Sequence, residues 1–317
     1  MTSHILATAS RSGLVEEYHP GAVAVVGSDG RTIASFGDIH RPFFIRSSAK
    51  PFQAQAALEA GAELPVTHVA VASSSHSGDP VHVAIVDDIL ARHGLDASAL
   101  KCPPARPFLP ADRRLAAAGD VALSPRYHNC SGKHAALLAA CVVAGWDIES
   151  YLDPAHPLQA RIATLVREAT GEDPGPPGVD GCGLPVWRVT ATGLARAFAA
   201  LGRDERFVAV RTAMARYPML VSGEGRGDGL IARWTGGVAK VGASGCMGAA
   251  IAGYGIGVKA WSGSPVVAAM GVTLAMETLG MTGSGVRAGL EEVWRPPVRG
   301  GGKMVGRYET VAVLEKE

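Results

Sequence analysis

The stretch FIRSSAKPFQAQAAL, residues 44–58, poses the first question about the fold. An apolar, alanine-rich helix opens here on Arg46-Ser47-Ser48-Ala49-Lys50, with Pro51 in the first turn, where a missing N–H is no loss. A serine at a helix start has a plain role, because its hydroxyl accepts a bond from an orphan backbone N–H. That role accounts for one serine. It leaves unexplained a lysine three positions after Ser47, just ahead of an apolar face. A second stretch, HNCSGKHAALLAAC at residues 128–141, repeats the plan with Cys130 in place of Ser47 and Lys133 in place of Lys50. The similarity is too short to be a domain repeat.

Working outward, AVAVV at 22–26, then GSDG, then RTIASFG read as strand, turn and strand, a hairpin opening an antiparallel or mixed sheet. Ser47 to Ala60 reads as a helix. HVAVASSSHSG, residues 68–78, begins with the alternation of a strand and ends in a polar cluster. Residues 81–93 form an amphipathic helix closed by Gly94. Residues 102–128, rich in Pro and Arg, read as a loop or short helices. The helix from about Ser131 to Val143 is apolar almost all round, which predicts burial. PGPPG at 174–178 is a hard break before VDGCGLPV. Residues 191–203 predict a helix, 241–264 two strands joined by a turn, and 265–279 a last long helix. No solenoid repeat or low-complexity linker appears.

The 317 residues are enough for a large core, with 47% hydrophobic and 19% charged, an ordinary globular composition. A net charge of +1 supplies no basic field for nucleic acid. No basic leader with an apolar run opens the sequence, and no apolar stretch is long enough to span a membrane. Five cysteines, an odd count, argue against a disulfide framework. Together these predict reduced thiols and a cytoplasmic protein.

Four constellations carry chemistry. Ser47-x-x-Lys50 puts an alcohol beside an amine; kept neutral, the amine can take the hydroxyl proton. Ser-x-x-Lys is also the nucleophile motif of penicillin-recognising enzymes. The plainer reading is a capping serine and a solvated lysine. SSSHSG, residues 73–78, offers hydroxyls for a proton relay or simply a turn. Lys259 ahead of Ser262-Gly263 resembles the Lys-Thr-Gly element of the same enzymes. Cys130-x-x-Lys133 with DGCG at 180–183 supplies two thiols and an amine, a set able to bind zinc with one position open. Lysine is a rare ligand, since it must first lose its proton. Buried inert cysteines, or Cys130 as a nucleophile activated by Lys133, are the other readings.

Taken in order, GLVEEYHPGAVAVVGSDG, FGD, FIRSSAKPFQAQAALEAGA, SSSHSGDP, HNCSGKHAALL and DGCGLP resemble the thermolabile, rhizobial-type L-asparaginase family, from about residue 13 to beyond residue 260. The resemblance implies an α/β (α+β) fold like the serine β-lactamases, penicillin-binding proteins and serine-dependent glutaminases: an antiparallel sheet flanked by helices, beside a helical lobe. It makes residues 1–317 a single catalytic unit with an α/β lobe and a mainly helical lobe. It implies hydrolysis of the side-chain amide of L-asparagine to L-aspartate and ammonia, by a homodimer; with the charge and hydropathy above, neither nucleic acid nor membrane is an expected partner. By position, Ser47 corresponds to the nucleophile, Lys50 to its base and Ser75 to the relay hydroxyl, with Ser77 as the alternative. Cys130, Lys133 and Cys182 correspond to zinc ligands, with water as the fourth. Arg46, His134 and Asp180 are expected near the substrate's charged ends, and Lys259 matches the strand lysine. Two departures bear on substrate choice. Ser244 stands where the family is expected to carry an acid, and KAWSG stands where an acidic residue and Asp-Gly are expected. A β-lactamase or D,D-peptidase using the same Ser/Lys pair, and a non-catalytic zinc- or amide-binding homologue, are the rival readings.

Overall fold

The computed structural model describes residues 4–107 and 122–317. Its centre is an antiparallel sheet built on one long strand. The strands are β1 (Ile5–Arg11), β2 (Leu14–Val26), β3 (Thr32–Phe36), β4 (Phe43–Phe44), β5 (Gly178–Val179), β6 (Pro185–Val186), β7 (Arg188–Val189), β8 (Val238–Gly242), β9 (Cys246–Ile251), β10 (Tyr254–Ala260), β11 (Pro297–Gly300), β12 (Lys303–Thr310) and β13 (Glu315–Lys316). The main sheet runs β11-β12-β1-β2-β10-β9-β8, with β3 on β2 and β13 on β3; β4-β7 and β5-β6 are separate ribbons. The predicted hairpin is present, and β2 extends it far toward the N-terminus. The stretch 241–264 holds the predicted pair, β9 and β10, after the end of a third strand, β8.

Strand periodicity sorts β2 between two cores. Ala22, Ala24 and Val26 belong to one buried cluster, Val23 and Val25 to the other. The first cluster is roofed by α1 (Lys50–Glu59), α2 (Val66–Ala72), α3 (Pro80–Arg92), α4 (Ser131–Ala144), α5 (Pro157–Thr170), α6 (Ala191–Arg203) and α7 (Val208–Arg216). After α8 (Pro218–Ser222) and α9 (Gly227–Thr235), the second face is covered by α10 (Pro265–Thr278). Helix α6 lies directly on β10. A Cβ at Gly255 would meet Ala195 O at 2.0 Å, and one at Gly257 would meet Ala191 O at 2.1 Å, so only glycine allows this approach.

Helices with clear caps form where the sequence puts them. Asp79 caps α3, Thr190 caps α6 and Ser264 caps α10, each accepting a backbone N–H. Gly94 and Gly145 follow α3 and α4 with φ of +69° and +67°. The start of 68–78 is corrected: it is helix α2, not a strand. His68 to Ala72 are buried on every side, so the apolar run carries no usable period. The Ser47–Ala60 helix begins as a 3-10 turn, Arg46–Ala49. In the Pro- and Arg-rich stretch 102–128, a short 3-10 turn spans Pro125–Tyr127, and residues 108–121 lie outside the described residues. No described helix is long and apolar enough to cross a membrane.

Candidate active site

Ser47 lies on the turn that feeds α1, half-buried, between Arg46 and the buried Ser48. Arg46 has φ of +50°, a left-handed conformation that strains a non-glycine residue by on the order of 1 kcal/mol. Neighbouring bonds hold the turn in place. Arg46 Nε donates to Asp180 Oδ1 at 2.7 Å, Ile45 N–H donates to Trp187 O at 3.0 Å, and Ser48 Oγ donates to Lys240 O at 2.9 Å.

Lys50 is completely buried. Its Nζ donates to Ser74 O at 2.5 Å, Ser75 Oγ at 3.0 Å and Asn129 O at 3.0 Å. Burial pushes its pKa down to about 8; the Cys130 sulfur opposes this, and the Lys133 and Lys240 charges add to it. Of the two relay candidates, Ser75 touches Lys50. Ser77 Oγ instead donates to Asp79 Oδ2 at 2.8 Å, within the cap of α3. His76 pins the same loop to α4. Gly78 N–H donates to His76 Nδ1, which assigns the proton to Nε2, and Nε2 faces Ser131 Oγ at 2.9 Å.

Cys130, Lys133 and Cys182 converge. Lys133 Nζ lies 3.1 Å from Cys182 Sγ, all three residues are buried, and the two thiols are hydrogen-bonded. The bond from Cys182, helped by Lys50 and Lys133, holds the Cys130 thiol well below its usual range. Its partner Cys182 is raised by the same bond and by burial. Burial works against the Lys133 charge, but the Cys130 and Cys182 sulfurs raise its pKa, so it is an ammonium beside a thiolate. Two sulfurs and one nitrogen are a donor set that fits a zinc ion with an open position, once Lys133 gives up its proton. Cys182 Sγ also lies 3.7 Å from Asp180 Oδ2, so Asp180 faces both this cluster and Arg46.

His134, completely buried, has Nδ1 2.7 Å from Tyr151 OH. That hydroxyl accepts from Lys101 N–H. His134 Nε2 has no partner among the described residues, and burial holds the ring neutral. Lys259 Nζ donates to the backbone carbonyl of Ser244 and sits 5.6 Å from the Phe43 ring and 5.4 Å from the Trp261 ring. Burial lowers its pKa. It contacts neither Ser47 nor Lys50 through a hydrogen bond among the described residues. Ser244, the departure noted above, has φ of +61°.

The motifs left out a second buried layer. Lys240 and Asp228 are 0% and 1% exposed, with Lys240 Nζ 3.2 Å from Asp228 Oδ2. The Lys240 and Arg226 charges, with the Val241 N–H, keep the Asp228 carboxylate below its usual range against the pull of burial. A lysine inside VAKVG, an otherwise apolar strand, was the available signal. Arg226, which donates to Ser75 O, carried none.

A model of the L-asparaginase II family matches residues 7–310. No curated protein matches the chain. Among solved structures, the chain is similar to Mglu in its glutamate form, at 16% identity, TM-score 0.47, covering 82% of this chain and 61% of that one. It is also similar to Mglu in its native form in the presence of 4.3M NaCl, at 18% identity, TM-score 0.46, covering 82% and 60%. A β-lactamase from Mycobacterium bovis is matched at 18% identity, TM-score 0.42, covering 86% and 94%. The chain thus spans about 60% of the length of the Mglu structures. Matched over nearly its whole length, the chain belongs to the L-asparaginase II family, a family of amidohydrolases.

Proposed function

We propose that this protein hydrolyses the side-chain amide of L-asparagine to L-aspartate and ammonia, with Ser47 as nucleophile. The observation that carries this reading is Lys50: a buried amine, held at a pKa of about 8, three residues after Ser47 and bonded to Ser75 Oγ. An alcohol is a weak nucleophile at neutral pH, and a neutral amine beside it supplies the base. In the acylation step, Lys50 takes the Ser47 proton as Ser47 Oγ forms a bond to the amide carbon. The proton passes by way of Ser75 to the amide nitrogen, the C–N bond breaks, and ammonia leaves. Water then attacks the ester, giving up its proton to the same base, and Ser47 is restored as L-aspartate departs.

Arg46 suits the substrate's α-carboxylate, as does His134 when its proton is on Nε2, unpartnered among the described residues, and Asp180 suits its α-ammonium. Lys259, held between Phe43 and Trp261, adds positive field at the rim. Cys130, Lys133 and Cys182 would hold zinc, which when bound supplies a fixed charge that orients the substrate's α-amino and carboxylate groups. The resemblance extends the proposal to a homodimer working in the cytoplasm. The test is ammonia release from L-asparagine, with L-glutamine in parallel, by the wild type and Ser47→Ala. Release from asparagine that disappears in the variant is expected. Undiminished release by Ser47→Ala would sink the assignment, and preference for glutamine would move the substrate.

A further inference from the structure

The backbone of Ser75 is gripped at both ends. Its N–H donates to Val221 O at 3.0 Å, and its C=O accepts from Arg226 Nη1 at 2.7 Å. The same Nη1 donates to Ser222 O at 3.1 Å, so one guanidinium nitrogen joins the loop of Ser75 to the end of α8. The grip depends on a tight return of the chain. Gly223 and Gly225, with φ of +89° and +70°, turn it from α8 to Arg226, which is the N-cap of α9. Two residues on, Asp228 pairs with Lys240, whose carbonyl accepts from Ser48 Oγ. The two sides of Lys50, the turn of Ser47 and the loop of Ser75, are therefore tied to the same segment.

We infer that Arg226 is a positioning residue for the relay hydroxyl: it holds the Ser75 backbone so that Ser75 Oγ stays on Lys50. The inference rests on the Ser47–Lys50–Ser75 reading above. Arg226 acts on a backbone carbonyl and takes no proton itself. Its role calls for a donor nitrogen carried far enough along the side chain to meet two carbonyls at once, which a lysine with its different reach and geometry matches only in part. Loss of the grip lets the loop drift, and displacement of a relay group by about 1 Å slows turnover by roughly 100-fold. Substrate binding stays intact, because Arg226 acts through Ser75.

The experiment is steady-state ammonia release from L-asparagine by the wild type, Arg226→Lys, Arg226→Met, Ser75→Ala, Ser75→Ala/Arg226→Met and Ser47→Ala. Expected is a fall in kcat of roughly 10-fold for Arg226→Lys and roughly 100-fold for Arg226→Met, with KM unchanged. In the Ser75→Ala background, Arg226→Met lowers kcat no further. Unchanged kcat in folded Arg226→Met overturns the inference, as does an equal further fall in the double variant. A loss matching only the unfolded fraction seen by circular dichroism also overturns it. If Arg226→Met does not fold, or Ser75→Ala leaves no measurable rate, Arg226→Lys decides by the same split of kcat from KM. Turnover that survives Ser47→Ala overturns the reading beneath and the inference with it. A dead Ser47→Ala beside a fully active Arg226→Met overturns the inference alone.

Discussion

Arg46 Nε donates to Asp180 Oδ1 over 2.7 Å, and this bond ties the turn carrying Ser47 to the loop carrying Cys182. It also holds Arg46 at a φ of +50°, where glycine would sit without strain. Arg46→Gly removes the bond and the strain together. The expected result is a folding free energy within about 1 kcal/mol of wild type, the two effects offsetting, and a kcat/KM for asparagine lowered by roughly 100-fold. Urea unfolding and steady-state rates on the same preparations check this; parallel losses of stability and activity would assign Arg46 to the scaffold alone.

The pKa of Lys50 sets the pH dependence. The active base is the neutral amine, and burial places its pKa at about 8. Protonation below that value removes the base. Log(kcat/KM) for ammonia release is expected to climb with unit slope up to about pH 8 and level off above it. Stability follows the same proton with a definite sign. The unfolded chain holds the Lys50 proton up to its ordinary 10.5 and the folded chain releases it near 8, so this group's contribution favours folding as pH rises through that window. A kcat/KM profile flat from about pH 6 to pH 10 would contradict the role of Lys50.

The helices at 81–93, 191–203 and 265–279 were legible from their local apolar patterns, and the structure adds the N-caps Asp79, Thr190 and Ser264, signals that are local as well. The Ser47–Lys50 and Cys130–Lys133 pairs were visible as two helix starts that carry the same spacing. What escaped depends on distant partners. Helix α2 is buried all round, so its apolar run has no direction to betray a helix. Strand β12 joins the sheet by pairing with β1 across nearly the whole chain, as Ala7 does with Thr310, and brings β11 with it through a local hairpin. Arg226 finds Ser75 151 positions away.

The Lys240–Asp228 pair is buried beyond the reach of solvent, so its two members are not equivalent to a surface ion pair. Removing one leaves the other as an unpaired buried charge, at roughly 3–5 kcal/mol. Lys240→Met and Asp228→Leu are each expected to destabilise on that scale. The double variant Lys240→Met/Asp228→Leu is expected to recover a good part of the loss, since no lone charge remains. Urea denaturation of the three variants tests this. A double variant no better than the sum of the singles would show that the pair contributes more than mutual neutralisation.

The sulfur cluster makes a prediction separate from activity. Protein purified from zinc-containing medium is expected to carry about one zinc per chain, and Cys182→Ser almost none. Thiol titration under native conditions gives the second readout: chelation should expose the Cys130 and Cys182 thiols to reagent. Metal-free wild type with the same thiol reactivity before and after chelation would reduce the cluster to a buried thiolate–ammonium pair.

Gly132, next to Lys133 on α4, is the point where α4 packs against α2. A Cβ there would lie 2.5 Å from Val71 Cγ1 and 2.5 Å from Val71 O. In an ordinary helix, glycine to alanine is favourable by about 0.5–1 kcal/mol. Here the clash is with a backbone carbonyl on α2, which cannot rotate away. Overpacking of this kind costs about 1–3 kcal/mol, so the steric term decides the sign and Gly132→Ala destabilises. The same carbonyl accepts from Ser74 N–H and Ser74 Oγ, one residue before Ser75. Pushing α2 away from α4 therefore also draws Ser74 O and Ser75 Oγ off Lys50, and kcat falls with stability. Adding Val71→Ala removes the methyl contact but not the carbonyl contact. The double variant is expected to regain only part of both losses; full recovery would show that the side chain alone was in the way.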